Sequence, residues 1–158
     1  MIYNKKYVND KIKQTSRKDN IMLISTKGRY ALRVMIDLAR HQNDEFIPLK
    51  EIAKRQGISE KYLESILKLL VINNIVTGTR GKKGGYKLMR RPSEYTAWDI
   101  ISVTEKEFYA VSCLSPDAPV CSRADICPTL PMWKDFNQTL KDFFSKYTIA
   151  DLADTPPF

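Results

Sequence analysis

Cys113, Cys121 and Cys127 are the only cysteines among the 158 residues, and they fall within fifteen positions, spaced C-x7-C-x5-C. Thiolates are soft ligands that suit zinc or the iron of iron–sulfur clusters. A closed zinc site wants four ligands, commonly from close C-x2-C pairs, and this segment has neither such a pair nor a fourth cysteine. Iron–sulfur clusters also take four ligands, but a nitrogen donor can replace a cysteine, as in Rieske centres. The one histidine, His41, stands far upstream, as a packed helix residue or a ligand brought in by tertiary contact; Asp117 and Asp125 are nearer oxygen donors. An odd set of three cysteines makes a disulfide framework a poor reading, which leaves metal binding or thiol oxidation. An enzyme is hard to assemble. One histidine gives no Ser–His–Asp or Cys–His arrangement, and Gly81-Lys82-Lys83-Gly84-Gly85 lacks the G-x-x-x-x-G-K-S/T order of a phosphate loop.

The charge carries a second message. The net charge of +8 divides into +4 over residues 1–21, +9 over 22–91 and −5 over 92–158. A merely solvated surface mixes its signs, whereas a basic segment beside an acidic one suggests a polyanion-facing half. Nucleic acid is the first candidate, because no basic amphipathic helix carries the Trp or Phe face that a membrane surface would take. No apolar run exceeds four residues, so no transmembrane helix fits. The opening MIYNKKYVND lacks the apolar centre of a secretory signal, which sets a cytoplasmic expectation. With 43% apolar and 28% charged residues, the chain reads as one ordinary domain or two small ones sharing a core.

Three segments follow. Residues 1–21, rich in Lys and Asn, read as a disordered basic arm or an upstream start extension. Residues 22–91 open with a helix capped by Ser25 or Thr26, on which Tyr30, Val34, Ile36 or Asp37, Leu38 and His41 fall at helical spacing and Ala31, Leu32 and Met35 fill the buried face. A second helix, Lys50 to Gln56, stops at Gly57, and Ser59 caps a third that carries Leu63, Ile66, Leu67, Leu70 and Val71. Two helices joined by Gln56-Gly57-Ile58-Ser59 make a helix-turn-helix. Strands over Ile75–Thr79 and Tyr86–Met89 flank the basic tip Arg80–Gly85, whose glycines allow close approach to a phosphate backbone. The fold class is therefore mainly α with a small β-wing, a winged helix-turn-helix domain. Residues 92–158 add a short helix capped by Thr96, the cysteine loop, a long C-terminal helix with Pro128 in its first turn, and a terminal helix over Thr148–Ala153. The long helix bears Leu130, Trp133, Phe136, Leu140, Phe143 and Phe144, a larger aromatic stripe than a small head needs, and reads as a dimerisation helix.

Ser25-Thr26-Lys27-Gly28-Arg29-Tyr30-Ala31-Leu32-Arg33, Gln56-Gly57-Ile58-Ser59, Tyr62-Leu63-Glu64 and Arg80-Gly81-x-x-Gly84-Gly85-Tyr86 resemble the IscR/NsrR-type (Rrf family) winged-helix transcriptional regulators. The resemblance runs from about Met22 to Asp154. It implies a homodimeric DNA-binding regulator, with repression the expected mode and an imperfect palindrome the expected operator. The third helix would enter the major groove and the wing the adjacent minor groove. By position, Lys27, Ser59, Lys61, Tyr62, Ser65, Lys68, Arg80, Lys82 and Lys83 are the candidate DNA contacts. Cys113, Cys121 and Cys127 would hold an iron–sulfur cluster, 2Fe–2S or 4Fe–4S. The assembly regulators of the family take a histidine where this chain has Leu130, and the nitric-oxide sensors an aspartate where it has Arg29, so the fourth ligand and the signal stay open. A metal-free regulator of the same fold, answering to thiol oxidation or to a metabolic protein partner, is the alternative.

Overall fold

Ser25 caps α1 (Thr26–Arg40) by accepting the Gly28 N–H at 3.2 Å in the computed structural model, which describes residues 24–43, 45–81, 83–105 and 108–156. The basic arm over 1–21 and Lys82 of the wing tip lie outside the described residues. Ala31, Val34, Met35 and Leu38 repeat at three- and four-residue spacing along α1 and are fully buried. Helix α2 (Leu49–Gln56) starts directly after Pro48 and ends at Gly57, whose φ of 63° is a left-handed conformation costly for any other residue type but Asn. Ser59 then accepts the Tyr62 N–H at 3.4 Å and starts α3 (Glu60–Ile72), which buries Leu63, Ile66, Leu67 and Leu70. Val71, expected on that face, is 37% exposed.

The wing is an antiparallel pair, β1 (Val76–Thr79) and β2 (Gly85–Leu88), in register from Val76 opposite Leu88 at the root to Thr79 opposite Gly85 at the tip. Ile75, expected in the strand, instead returns its N–H to the Leu70 carbonyl at 2.9 Å and closes the end of α3. Ile47 exchanges two backbone hydrogen bonds with Tyr86, at 3.0 and 2.9 Å, adding a one-residue third strand. Gly85 makes this possible. A Cβ there would overlap the Ile47 carbonyl, so only glycine lets the two backbones meet.

Two capping boxes order the second half. Thr96 with Asp99 starts α4 (Ala97–Thr104), and Thr148 with Asp151 starts α6 (Ile149–Asp154). Between them runs α5 (Leu130–Ser145), which has Pro131 in its first turn; Pro128 stays in the preceding loop. The chain then returns to the head. Ala97 N–H donates to the Tyr147 carbonyl at 2.8 Å and Ile149 N–H to the Tyr95 carbonyl at 2.9 Å. Arg40 at the end of α1 donates to the carbonyls of Ala153 and Thr155 at 2.7 and 2.6 Å. Tyr95, completely buried, accepts the N–H groups of Met89 and Arg90 on its hydroxyl and donates that hydroxyl to the Ile75 carbonyl.

One charged group sits inside the head. Asp37 is 3% exposed and accepts from Arg55 Nε at 2.9 Å, Arg55 Nη2 at 2.7 Å and Gln56 Nε2 at 2.9 Å. Arg33 completes the set with bonds to the side-chain and backbone oxygens of Gln56. Asp37 thereby fixes α1 against the last turn of α2, where the helix-turn-helix bends. Replacing one member of such a pair strands the other as an uncompensated charge, at a cost of about 3 kcal/mol or more. Arg55→Ala is thus expected to lower the unfolding free energy by that amount, seen as a lower urea midpoint with little change in slope and read by circular dichroism. A loss within the ordinary surface range of about 0.5 kcal/mol would show that the pair does not hold the turn.

Candidate nucleic-acid interface and cysteine loop

The four buried leucines and isoleucines of α3 leave Lys61, Glu64, Ser65 and Lys68 on the opposite, exposed side, with Ser59 exposed at its N-cap. Tyr62 is half-buried and meets Tyr30 of α1 edge-on at 6.0 Å, while the Arg33 guanidinium lies 5.1 Å above the Tyr30 ring. Ser65 donates its hydroxyl to the Tyr62 carbonyl at 2.6 Å. Arg80 and Lys83 are exposed on the wing tip, and Lys27 is half-buried in the first turn of α1. Tyr86 of β2 joins the two parts. Burial first, then the Glu64 carboxylate, pushes its hydroxyl above the ordinary tyrosine range, while the nearby Arg80 charge opposes the shift. Glu64 on α3 and Arg80 on the wing therefore both act on the Tyr86 hydroxyl. Glu64 was missing from the sequence-derived candidates. An exposed carboxylate between Lys61 and Lys68 is its signal, because such a group can accept from the amino group of cytosine.

The cysteines occupy the segment between α4 and α5. Cys113 lies in a 3-10 turn (Ser112–Leu114), and Cys121 precedes and Cys127 follows a second one (Ala124–Ile126). Cys113 and Cys121 are exposed and, with Tyr109 and Asp117, line a cavity of about 820 Å³. Cys127 lies outside that lining, half-buried at the start of α5. Its sulfur is 3.5 Å from Thr129 Oγ1, and this hydroxyl, followed by the backbone N–H groups of Thr129 and Leu130, pulls the thiol below the ordinary cysteine range. Among the described residues, no three His, Cys, Asp or Glu side chains converge as a metal site. His41 caps the end of α1, its Nδ1 at 2.8 Å from the Asp37 carbonyl, with its side chain 45% exposed rather than packed.

The start of the segment is tied twice. Glu105, the residue after α4, accepts the N–H and hydroxyl of Ser25 on one oxygen, at 3.0 and 2.8 Å. The N-cap of α1 is thus bonded to the residue that opens the cysteine segment, an arrangement a carboxylate at a helix N-terminus favours. Gly28 packs under this contact, since a Cβ would overlap the Glu105 carboxylate. Further on, Ala110 N–H donates to Asn137 of α5 at 3.1 Å. Helix α5 itself has no buried residue. Phe144 packs edge-on with Phe108 at 5.9 Å, but Met132, Phe136 and Phe143 remain 52%, 45% and 50% exposed. Among the described residues no helix is long and apolar enough to cross a membrane.

A turn-linked helix pair, an exposed polar face on the second helix and a cationic wing define a winged-helix DNA-binding regulator. The family described as "Rrf2: Iron-dependent Transcriptional regulator" matches residues 24–155, and the chain belongs to it. The HTH-type transcriptional regulator IscR of Serratia proteamaculans is 34% identical over 133 residues, spanning 84% of this chain and 80% of that protein. Among solved structures, CymR (YrzC), the global cysteine regulator of B. subtilis, is 34% identical with a TM-score of 0.67, over 85% of this chain and 98% of that one. The oxidized form of Staphylococcus aureus CymR is 32% identical with a TM-score of 0.65, over 87% and 100% of the two chains. The family membership makes the protein a transcriptional regulator that binds DNA rather than an enzyme.

The lowered pKa of Cys127 has a direct readout. Alkylation requires the thiolate, so in a variant retaining Cys127 alone the pH midpoint for iodoacetamide labelling should lie below that of a free cysteine, about 8.5. Thr129→Val removes the largest cause, and the midpoint should rise toward that value. An unmoved midpoint would mean that the hydroxyl does not act on the sulfur.

Proposed function

We propose that the protein is a sequence-specific transcriptional repressor that binds an imperfect palindrome as a homodimer, with its DNA affinity set by an iron–sulfur cluster on Cys113, Cys121 and Cys127. The observation that carries the reading is the position of these three thiols. They fill the one segment joining the winged head to α5, a helix whose apolar residues the head leaves uncovered. A second copy is the natural cover for Met132, Phe136 and Phe143, and a two-fold pairing sets two α3 helices about 34 Å apart, one turn of DNA. Lys27, Lys68, Arg80, Lys82 and Lys83 then supply phosphate contacts. Ser59, Lys61, Tyr62 and Ser65, with Glu64, meet base edges and the sugar–phosphate rim.

The donor set fits a cluster in kind. Three thiolates are the ligands iron–sulfur clusters take, and Cys113 and Cys121 already face one cavity together with Asp117. When bound, the cluster supplies redox- and ligand-sensitive iron chemistry. Cys127 lies outside the lining of that cavity, so it would join Cys113 and Cys121 on one group only with a rearrangement of the segment before α5. Thr129 and the backbone N–H groups that favour the Cys127 thiolate also favour its use as a ligand.

A second reading keeps the fold and removes the iron. The acidified Cys127 thiol is suited to oxidation, and the S. aureus relative was solved in an oxidized form. One preparation separates the two. Protein purified anaerobically should be brown, with iron and sulfide in near-equal amounts, and the variant with all three cysteines changed to alanine should be colourless. The iron count then distinguishes 2Fe–2S from 4Fe–4S. Colourless wild type after anaerobic reconstitution, with DNA affinity that still changes on peroxide treatment, would replace the cluster by thiol chemistry. The DNA part is checked separately by the salt dependence of binding. Six to ten phosphate contacts give a log–log slope of about −5 to −9, and a slope near −1 would refute the proposed cationic footprint.

A further inference from the structure

The wing has a root as well as a tip, and the root carries charge that the DNA reading does not use. Beyond β2, Arg90 and Arg91 join Lys87 around a groove of about 450 Å³ that Gln42 and Asn43 close from the other side. Glu94 is the one acidic residue of the lining among the described residues, and it is already committed. It accepts the Arg91 N–H at 2.9 Å and Arg91 Nε at 3.3 Å, which holds its carboxyl below the ordinary range. The other two cations are seated on rings. The Arg90 guanidinium lies 4.4 Å above Tyr95 and the Lys87 ammonium 5.4 Å above Phe46. Ring faces fix these groups while leaving their N–H edges for an acceptor. Among the described residues neither Lys87 nor Arg90 makes an ion pair.

The position of the groove argues against duplex DNA as its occupant. The register runs from Thr79 and Gly85 at the tip to Val76 and Leu88 at the root, and Arg90 and Arg91 lie beyond the root. Ile47 is antiparallel to Tyr86, so the chain before it, with Gln42 and Asn43, also runs toward the root. Gln42 follows the C-terminal end of α1, a helix of 15 residues whose opposite end carries Lys27. At 1.5 Å per residue that is about 22 Å away.

From this we infer that the wing-root groove docks a carboxylate-rich segment of a protein partner while the tip and α3 hold DNA. The inference rests on the proposed DNA-facing surface for the side it calls free. Three cations with side-chain amides in a concavity match carboxylates on an extended acidic segment, and the charge is complementary. Exposed pairs of this kind are individually weak, which makes the contact salt-sensitive and reversible.

Fluorescent deca-glutamate is the probe, titrated against full-length protein already saturated with an unlabelled random-sequence duplex. The expected result is peptide anisotropy that rises on the DNA-bound protein, with affinity about fivefold or more lower for Lys87→Gln/Arg90→Gln/Arg91→Gln. Duplex affinity of that variant should stay within about twofold of wild type. Arg91→Gln alone, at a side chain 82% exposed, should give part of the loss with an unchanged thermal melt, which separates docking from folding. Peptide displaced in full by the duplex, or bound equally by wild type and variants, would overturn the inference. Full competition by inorganic phosphate at matched ionic strength would also overturn it, by making this a small-anion site. Wild-type protein that binds no duplex at all would instead defeat the DNA-facing reading, which the same titration reports independently.

Discussion

Asp37 is the charge on which the head is organised. A carboxylate almost wholly removed from water is tolerable only if its lone pairs are filled, and Arg55 and Gln56 fill them from the last turn of α2. Gln56 is shared with Arg33, one turn earlier on α1, so the end of α2 is gripped from two points on the same helix. The next residue, Gly57, is where the chain turns into the N-cap of α3. The direction in which α3 leaves that turn depends on the grip. The apolar residues beneath make α3 stable, since burying each Leu or Ile contributes roughly 1.5–3 kcal/mol, but burial is non-directional and does not choose an angle. The directional bonds do. A buried ion pair is weak evidence for net stability, and its value here is the orientation it gives to a helix that must present one face to a groove.

Local rules made most elements legible in the sequence. Ser25, Gly57, Ser59 and Thr96 mark helix ends through side-chain or backbone chemistry acting over three or four residues, and the structure uses each of them so. The wing followed from glycines and charge between two short apolar runs. The start of α5 was misread for a physical reason: Pro128 and Pro131 both lack an N–H, both suit a helix N-terminus, and sequence alone does not rank them. What could not be read are contacts between residues far apart in the chain. Asp37 and Arg55 are 18 positions apart, and Ser25 and Glu105 are 80 apart. The cysteine segment has no hydrophobic period to fix it, so the spacing C-x7-C-x5-C named possible chemistry without giving the relative placement of the sulfurs.

The two halves share one apolar core, to which the second contributes Tyr95, Ile100 and Ile149, and a set of directional links fixes how they meet. Glu105 holds the N-cap of α1, Arg40 holds the C-terminal end of α6, and the paired backbone bonds at Tyr95–Ile149 and Ala97–Tyr147 fasten the far end of α5 to the head. The far end of α5 is therefore anchored, whereas its near end, Leu130, follows Cys127 in a segment held chiefly by short turns. An element fixed at one end and loosely held at the other transmits displacement as rotation, and α5 also carries the exposed apolar face. The division of charge supports the same separation of tasks. A tail at −5 beside a head segment at +9 keeps the α5 half away from phosphates that the head attracts.

Energetics set the scale such a linkage must meet. A hundredfold change in DNA affinity corresponds to about 2.7 kcal/mol. Two charge-assisted hydrogen bonds from Ser25 to Glu105, each of order 1.5 kcal/mol, are already that large. A shift in the cysteine segment that weakens both therefore needs no repacking of the apolar core. It acts on the first turn of α1, which carries Lys27, and leaves the Asp37 grip on α2 untouched. A regulator working in this proposed way would keep its head folded while its fit to DNA changed, which a switch built on core unfolding would forfeit.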